Sequence, residues 1–206
     1  NHIGPFLMNY TTKKEKYFQN AEKANQVFKK IFSNVENPVN KIKTTISKIF
    51  PDYKISGIRE NQRNYALCTI RRHENGKSIP LHKDNVSYEG VEYEVSKINT
   101  QLSCILHLQE TEKGGNLSIY NKRWKKKLEK YREIEFGYNS NIKKKSLSDT
   151  IETKLGDLVI INPNYLHEVK EIQGISDRVT LGMFFGIENK TKKIFFWAWY
   201  SSKYSK

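Results

Sequence analysis

At Tyr53 the spacing of apolar residues changes from three-to-four to two, and it stays near two through most of the remaining chain. Before that point Tyr17, Ala21, Ala24, Val27, Phe28 and Ile31 recur at helical intervals. Val39, Ile42, Ile46 and Ile49 repeat the pattern until Pro51 stops it. Residues so spaced share one face of an α-helix, which predicts helices over 13–33 and 36–49. Beyond Tyr53 the alternation predicts strands over 53–58, 65–72, 78–82, 100–109, 116–120, 157–162, 166–171, 177–187 and 194–200. Turn residues such as Glu74-Asn75-Gly76, Glu112-Lys113-Gly114-Gly115 and Asn162-Pro163-Asn164 separate them. Helices followed by many short strands predict a mainly β core with N-terminal covering helices. A double-stranded β-helix, or jelly roll, would hide the strand edges. With 206 residues, the chain is expected to form one domain over 1–206. Its parts would be a helical cover at 13–50 and a jelly-roll core at 53–200, with an insertion at 121–155.

Within that insertion Trp124, Leu128, Tyr131 and Ile134 are spaced for one face of a basic amphipathic helix, with a loop from Phe136 to Asp149 after it. Residues 121–145 hold ten basic and three acidic side chains, a net +7, half of the +14 of the whole chain. Such a patch can steer an acidic ligand or partner. It does not argue for base recognition, because only seven of the 36 basic residues are arginines. Lysine and asparagine enrichment is also what an AT-rich genome produces. No apolar run reaches the length of a membrane span, and the N-terminus has no cleavage pattern for export. Two cysteines, Cys68 and Cys104, lie in apolar strand-like runs; they exclude a disulfide scaffold and fit a reducing, cytoplasmic setting. The chain starts at Asn1, and Met8 is a candidate natural start that would make residues 1–7 extraneous.

Of the five histidines, only His82 has a carboxylate two positions on, in Pro80-Leu81-His82-Lys83-Asp84. Residues i and i+2 of an extended strand point to one face, so this imidazole and this carboxylate stand side by side as two cis ligands for a metal. A third ligand must come from elsewhere. His167, in a later strand candidate, has supporting context, and Arg178 follows it by eleven positions in Asp177-Arg178-Val179-Thr180-Leu181.

In these residues the chain resembles the Fe(II)/2-oxoglutarate-dependent oxygenases, in particular their prolyl-hydroxylase-like branch, over residues 65–187. Arg72-His73-Glu74-Asn75-Gly76 resembles the turn leading to the His-x-Asp strand. Gly114-Gly115-Asn116-Leu117 is similar to the family's GG-x-L strand, and Gly156-Asp157-Leu158-Val159-Ile160-Ile161 to the strand before the distal histidine. Leu166-His167-Glu168-Val169, Gly174 and Arg178-Val179-Thr180-Leu181 match the distal-histidine block. The resemblance implies Fe(II) held by His82, Asp84 and His167, with 2-oxoglutarate and O₂ as cosubstrates. Arg178 is implied to grip the 2-oxoglutarate C5 carboxylate, and Thr180, on the same strand face, to add a hydroxyl donor. His73 stands where the branch usually has a tyrosine touching the cosubstrate. Two neutral imidazoles and a carboxylate suit Fe(II), and an arginine fork fits a carboxylate as a lysine cannot.

A buried, unpaired arginine in the apolar run after Asp177 would be costly, which favours a ligand for Arg178. His107, in Cys104-Ile105-Leu106-His107-Leu108, reads as a core residue or a neighbour of the site. The resemblance also bears on substrate. Halogenases of the family replace the carboxylate of His-x-Asp with a small residue so that halide can bind iron; Asp84 therefore points to hydroxylation. Nucleic-acid demethylases carry a second arginine six residues after the first, and here that position is Phe184, against a nucleic-acid substrate. Residues 115–124 with Gly137-Tyr138 resemble small bacterial oxygenases of free amino acids and related metabolites. The expected substrate is such a small molecule. A prolyl-type hydroxylase of an acidic protein or peptide is the alternative, and the insertion would be its lid or docking patch.

Overall fold

The first helix, Lys14–Ile31, buries Tyr17, Phe18, Ala21, Ala24 and Phe28. The second, Pro38–Ile49, buries Val39, Ile42 and Ile46. Its start is set by sequence: the Asn37 side chain accepts from the Val39 N–H, and Pro38 takes the first helical position, where no N–H is needed. This structure, a computed structural model, describes residues 1–134 and 136–198. Among the described residues, no helix is long and apolar enough to cross a membrane.

The strands form two facing sheets. In the seven-stranded sheet, the long strand Arg178–Glu188 is the organiser. Along one edge its first half pairs with Thr69–His73 and its second half with Lys193–Trp197. Along the other it pairs with Thr100–Gln109, which in turn pairs with Leu158–Ile161. The four-stranded sheet runs in the order Ser148–Ile151, Leu117–Arg123, Tyr165–Val169, Ile79–His82. The two inner faces meet through Ile79, Leu117, Ile161 and Val169, with Ile105 and Val159 packed against them. The fold is a mainly β jelly roll under a helical cover.

Alternation along the long strand separates two environments. Leu181, Met183 and Phe185 pack outward with Ala24, Phe28, Ile42 and Ile46 of the helices, while Arg178, Thr180, Gly182 and Phe184 have the opposite parity. Burying aliphatic and aromatic side chains at ~1.5–3 kcal/mol each makes this outer helix–sheet layer a major source of stability. Cys68 and Cys104 lie in it, free and fully buried. Burial pushes both thiols up to about 12, which keeps them protonated as packing residues.

Three expectations need correction. The segment 121–134 is not an amphipathic α-helix: the strand runs on to Arg123, a 3₁₀ helix covers Lys126–Tyr131, and Arg132–Ile134 pairs with Gly137–Tyr138 as a hairpin. Nor is 136–149 a plain loop, for Ser140–Lys143 is a 3₁₀ helix and Ser148–Ile151 adds an edge strand to the small sheet. Residues 1–7 do not pack as an extraneous tail. His2–Ile3 pairs with Thr69–His73, and Phe6 and Leu7 are 1% and 0% exposed within the core. The expected strand ending at 200 is described to Trp197; Trp199 and Tyr200 lie outside the described residues.

Candidate active site

His82 ends the strand Ile79–His82, and Asp84 follows just beyond it, its N–H donating to the Pro163 carbonyl at 2.9 Å. That bond ties the His-x-Asp turn to the Asn162-Pro163-Asn164 loop, and Asn85 repeats the tie through its side chain to Asn164 at 2.7 Å. His167 lies on the adjacent antiparallel strand directly opposite His82. The three side chains are buried, and their ligating atoms lie within 4.8 Å of one another. Asp84 Oδ2 is 3.9 Å from His82 Nε2 and 3.5 Å from His167 Nε2.

The hydrogen bonds behind the two imidazoles test whether this group suits a metal. His82 Nδ1 is 2.8 Å from the Pro80 carbonyl, and His167 Nδ1 is 2.8 Å from the Tyr165 carbonyl. A carbonyl only accepts, so each Nδ1 carries the proton and each Nε2 presents a lone pair toward Asp84. Ligating histidines are characteristically oriented in this way. Burial, followed by the charge on His167, lowers His82 to about 3. Burial would raise Asp84, but the two imidazoles beside it and the Lys83 charge outweigh it and hold the carboxyl below its ordinary range. The set is thus two imidazoles held by their Nδ1 atoms and a carboxylate, the donor chemistry of a 2-His-1-carboxylate Fe(II) centre.

Facing the triad across the cavity is the inner surface of the large sheet. The cavity is lined by His82, Asp84 and His167 on one wall and by Arg71, Arg178, Ser103 and Gly182 on the other, with Ile79, Ile105, Leu117, Val169 and Phe184 between them. Arg178 is 3% exposed and Thr180 0%. Thr180 Oγ1 is buried and makes no hydrogen bond among the described residues. His73 is the register partner of Arg178, and burial, then the charges of Arg71 and Arg178, lower it to about 3. His107 pairs in register with Thr180 and contacts Glu110 through Nδ1. It borders the site without joining the metal group, as its apolar context predicts.

Sequence reasoning missed three contributors. Arg71 is 8% exposed and lines the cavity, while its neighbour Arg72 points out to Asp177. The parity of Thr69, Arg71 and His73 carried the signal, but only the strand register says which of two adjacent arginines faces in. Phe136, brought in by the insertion, stands edge-on to His82 with ring centroids 5.5 Å apart and an interplanar angle of 86°. Lys83, between the two ligands in sequence, pairs with Glu89 and lies over Trp124 at 4.8 Å. Glu89 also takes Arg132 at 3.0 Å, and Trp124 donates to Glu129 at 2.7 Å. The insertion is therefore fastened to the ligand-bearing turn by a buried ionic and aromatic network.

A jelly roll carrying this triad, with buried cations facing it, defines an Fe(II)- and 2-oxoglutarate-dependent oxygenase, with O₂ as the oxidant. The sequence matches the family described as "Carrier-protein-independent halogenase WelO5" over residues 1–198, and the chain belongs to that family. It is also 27% identical to the "Leucinostatins biosynthesis cluster protein S" of Purpureocillium lilacinum over 181 residues, 84% of this chain and 73% of that protein. Its fold is similar to the crystal structure of an N-substituted L-amino acid dioxygenase from Burkholderia ambifaria AMMD. That match has a TM-score of 0.67 and 18% identity, and covers 93% of this chain and 76% of that one. The same dioxygenase in complex with α-ketoglutarate matches at a TM-score of 0.65, with 18% identity and the same coverage.

Proposed function

We propose that this enzyme hydroxylates a C–H bond of a small molecule, a free amino acid or a related metabolite. His82, Asp84 and His167 would hold the Fe(II). Arg178 would hold the C5 carboxylate of 2-oxoglutarate, with Thr180 donating its hydroxyl and His73 beside them. With Fe(II) and 2-oxoglutarate bound, O₂ would supply the oxidising equivalents, and 2-oxoglutarate, decarboxylated to succinate, two of the four electrons; this chain's residues bind, orient and exclude water. The Pro80 and Tyr165 carbonyls fix the two imidazoles in the ligating tautomer. Ile79, Ile105, Leu117, Val169 and Phe184 keep the cavity apolar, and Phe136 braces His82. The helices, both sheets and the insertion all serve this cavity, so we read the chain as one oxygenase domain.

The observation that carries the choice of hydroxylation is Asp84. Although the family is named for halogenases, a carboxylate stands 3.5 Å and 3.9 Å from the two Nε2 atoms, in the position a halide would need. The substrate class is supported by the name of the Burkholderia dioxygenase and by the narrow, enclosed cavity. The test is a succinate-release assay over a panel of amino acids and N-substituted amino acids in chloride buffer, with products read by mass spectrometry. Gain of one oxygen in a panel member is the expected result; gain of chlorine would overturn the hydroxylase reading. A second reading, a hydroxylase of an acidic peptide, draws on the exposed row Lys125, Lys126 and Lys127 beside Trp124. Acidic peptides added to the same panel separate the two.

A further inference from the structure

Beside the metal cavity lies a second pocket of about 380 Å³, a size usual for small-molecule sites. Two elements join it to the triad. Asn85, in its lining, directly follows Asp84, and Asn164 directly follows Pro163, whose carbonyl holds the Asp84 N–H. Gln101, also in the lining, is two residues from Ser103 on the strand Thr100–Gln109, and Ser103 lines the metal cavity. Residues i and i+2 of a strand share a face, and the intervening Leu102 packs outward with the helical layer. The pocket thus continues the cavity outward along this strand and this turn.

The lining holds unspent hydrogen-bonding capacity. Gln101 is 5% exposed, and its Oε1 accepts from the Val86 N–H at 2.9 Å. A backbone N–H only donates, which fixes the orientation of the side-chain amide and leaves Nε2 as its donor end. That Nε2 is buried and makes no hydrogen bond among the described residues. A buried donor is costly until it meets an acceptor. The neighbouring side-chain oxygens are already engaged: Asn85 Oδ1 accepts from the Tyr88 N–H at 3.0 Å, and Asn164 Oδ1 accepts from Asn85 Nδ2 at 2.7 Å. The charge at the mouth agrees. Arg123 and Lys125 are exposed there, and no carboxylate is among the described residues that line the pocket. A buried donor behind two cations suits an anion.

We propose that this outer pocket is the primary-substrate subsite, in which Gln101 Nε2 donates to a carboxylate of the substrate while Arg123 and Lys125 draw it in. The substrate is therefore a carboxylate-bearing amino-acid derivative rather than a neutral metabolite. Its anionic end stays in the outer pocket, and its target C–H extends past Ser103 toward the triad. This rests on the oxygenase reading above and adds to it the place where the second reactant is recognised. Gln101 is a specificity residue: its Oε1 braces the chain just after the His-x-Asp turn, and its Nε2 selects the ligand.

The test is binding rather than turnover. Protein loaded with Zn(II) and 2-oxoglutarate is titrated with a mixture of N-acetyl-L-amino acids, and separately with the matching N-acetyl amino-acid amides. Ligand-detected NMR reads the bound members, and calorimetry reads 2-oxoglutarate. Wild type should bind at least one acid, with its amide at least ~10-fold weaker, the loss expected for a charge-assisted hydrogen bond. Paramagnetic Mn(II) in place of Zn(II) should broaden the signals of the bound acid, because the pocket opens toward the metal. Gln101→Glu keeps an acceptor for the Val86 N–H and turns the donor into an oxygen. It should weaken the acid at least ~10-fold and leave the 2-oxoglutarate Kd within about threefold. Arg123→Gln with Lys125→Gln changes only exposed side chains, which guards against a folding defect in Gln101→Glu. The pair should weaken the acid ~3-fold, a difference that added salt removes. Four results overturn the inference: no acid bound by a wild type that does bind 2-oxoglutarate, acid and amide bound alike, no broadening by Mn(II), or acid affinity unchanged in either variant. A wild type that binds no 2-oxoglutarate sinks the oxygenase reading as well.

Discussion

The two walls of the cavity solve opposite problems. The small sheet presents metal donors: the Nδ1 atoms of its imidazoles are tied to Pro80 and Tyr165, which turns each Nε2 toward Asp84, and Asp84 is kept ionised. The large sheet presents positive charge, with Arg71 and Arg178 on inward positions of neighbouring strands. One wall is made for a cation and the other for anions. Under the proposed function the reactants would lie between them. Both walls need long-range strand pairing, but the imidazoles of the first are also oriented by bonds two residues long, so the two should fail differently.

The largest expected effect is on the metal wall. His167→Ala or Asp84→Ala should lose tight Fe(II) binding and bring turnover below detection, measured by metal analysis and succinate release; full activity in His167→Ala would break the assignment. On the anion wall, Arg178→Ala should leave Fe(II) binding intact. It should raise the 2-oxoglutarate requirement by at least ~30-fold, since an unpaired desolvated carboxylate costs on the order of 2–5 kcal/mol. If the metal is lost instead, the walls are not independent.

A smaller effect should come from the network that braces the metal wall. Glu89 is shared by Lys83 and Arg132, and the Lys83 and Glu89 side chains are 0% and 7% exposed. Glu89→Gln should lower Fe(II) affinity ~10-fold, the lower end for groups that orient ligands, with a lower melting temperature because Lys83 keeps a buried charge. Metal-free stability should also depend on pH. His73 and His82, ordinarily near 6.5, are lowered to about 3 in the fold. The unfolded chain takes up protons that the folded chain refuses, so stability is full above pH 6.5 and falls as pH drops toward 3. Urea midpoints across that window check it, and a flat profile would refute buried neutral imidazoles. The smallest effect is expected for His107→Ala, with Fe(II) affinity unchanged.

The strand Arg178–Glu188 was legible because strict alternation places an apolar helix-facing set beside a polar cavity-facing one. The triad was legible because His82 and Asp84 are only two residues apart and His167 has its own block. Arg71 was not legible, because adjacent Arg71 and Arg72 differ only in which side of a strand they take. The insertion misled for another reason. Trp124, Leu128 and Tyr131 have helical spacing, but Trp124 also takes partners outside the segment. The Trp124 N–H donates to the Asn164 carbonyl at 2.8 Å and its ring packs on Tyr88 with centroids 4.7 Å apart, so tertiary contacts override propensity. Ser148–Ile151 went unseen because an edge strand with exposed side chains on three of its four residues carries no alternation.

The pairing of Thr69–His73 with Arg178–Glu188 has a consequence for synthesis. The bond from Thr69 Oγ1 to the Gly182 carbonyl spans 113 residues, and His82 waits almost as long for His167. A ribosome must deliver nearly the whole polypeptide before either wall exists. Until then the early strands carry open edges, which favours slow closure and a need for shielding from neighbouring nascent chains. If His82, Asp84 and His167 hold the iron as proposed, the amino-terminal half alone cannot capture it, and loading has to wait for the strand Tyr165–Val169.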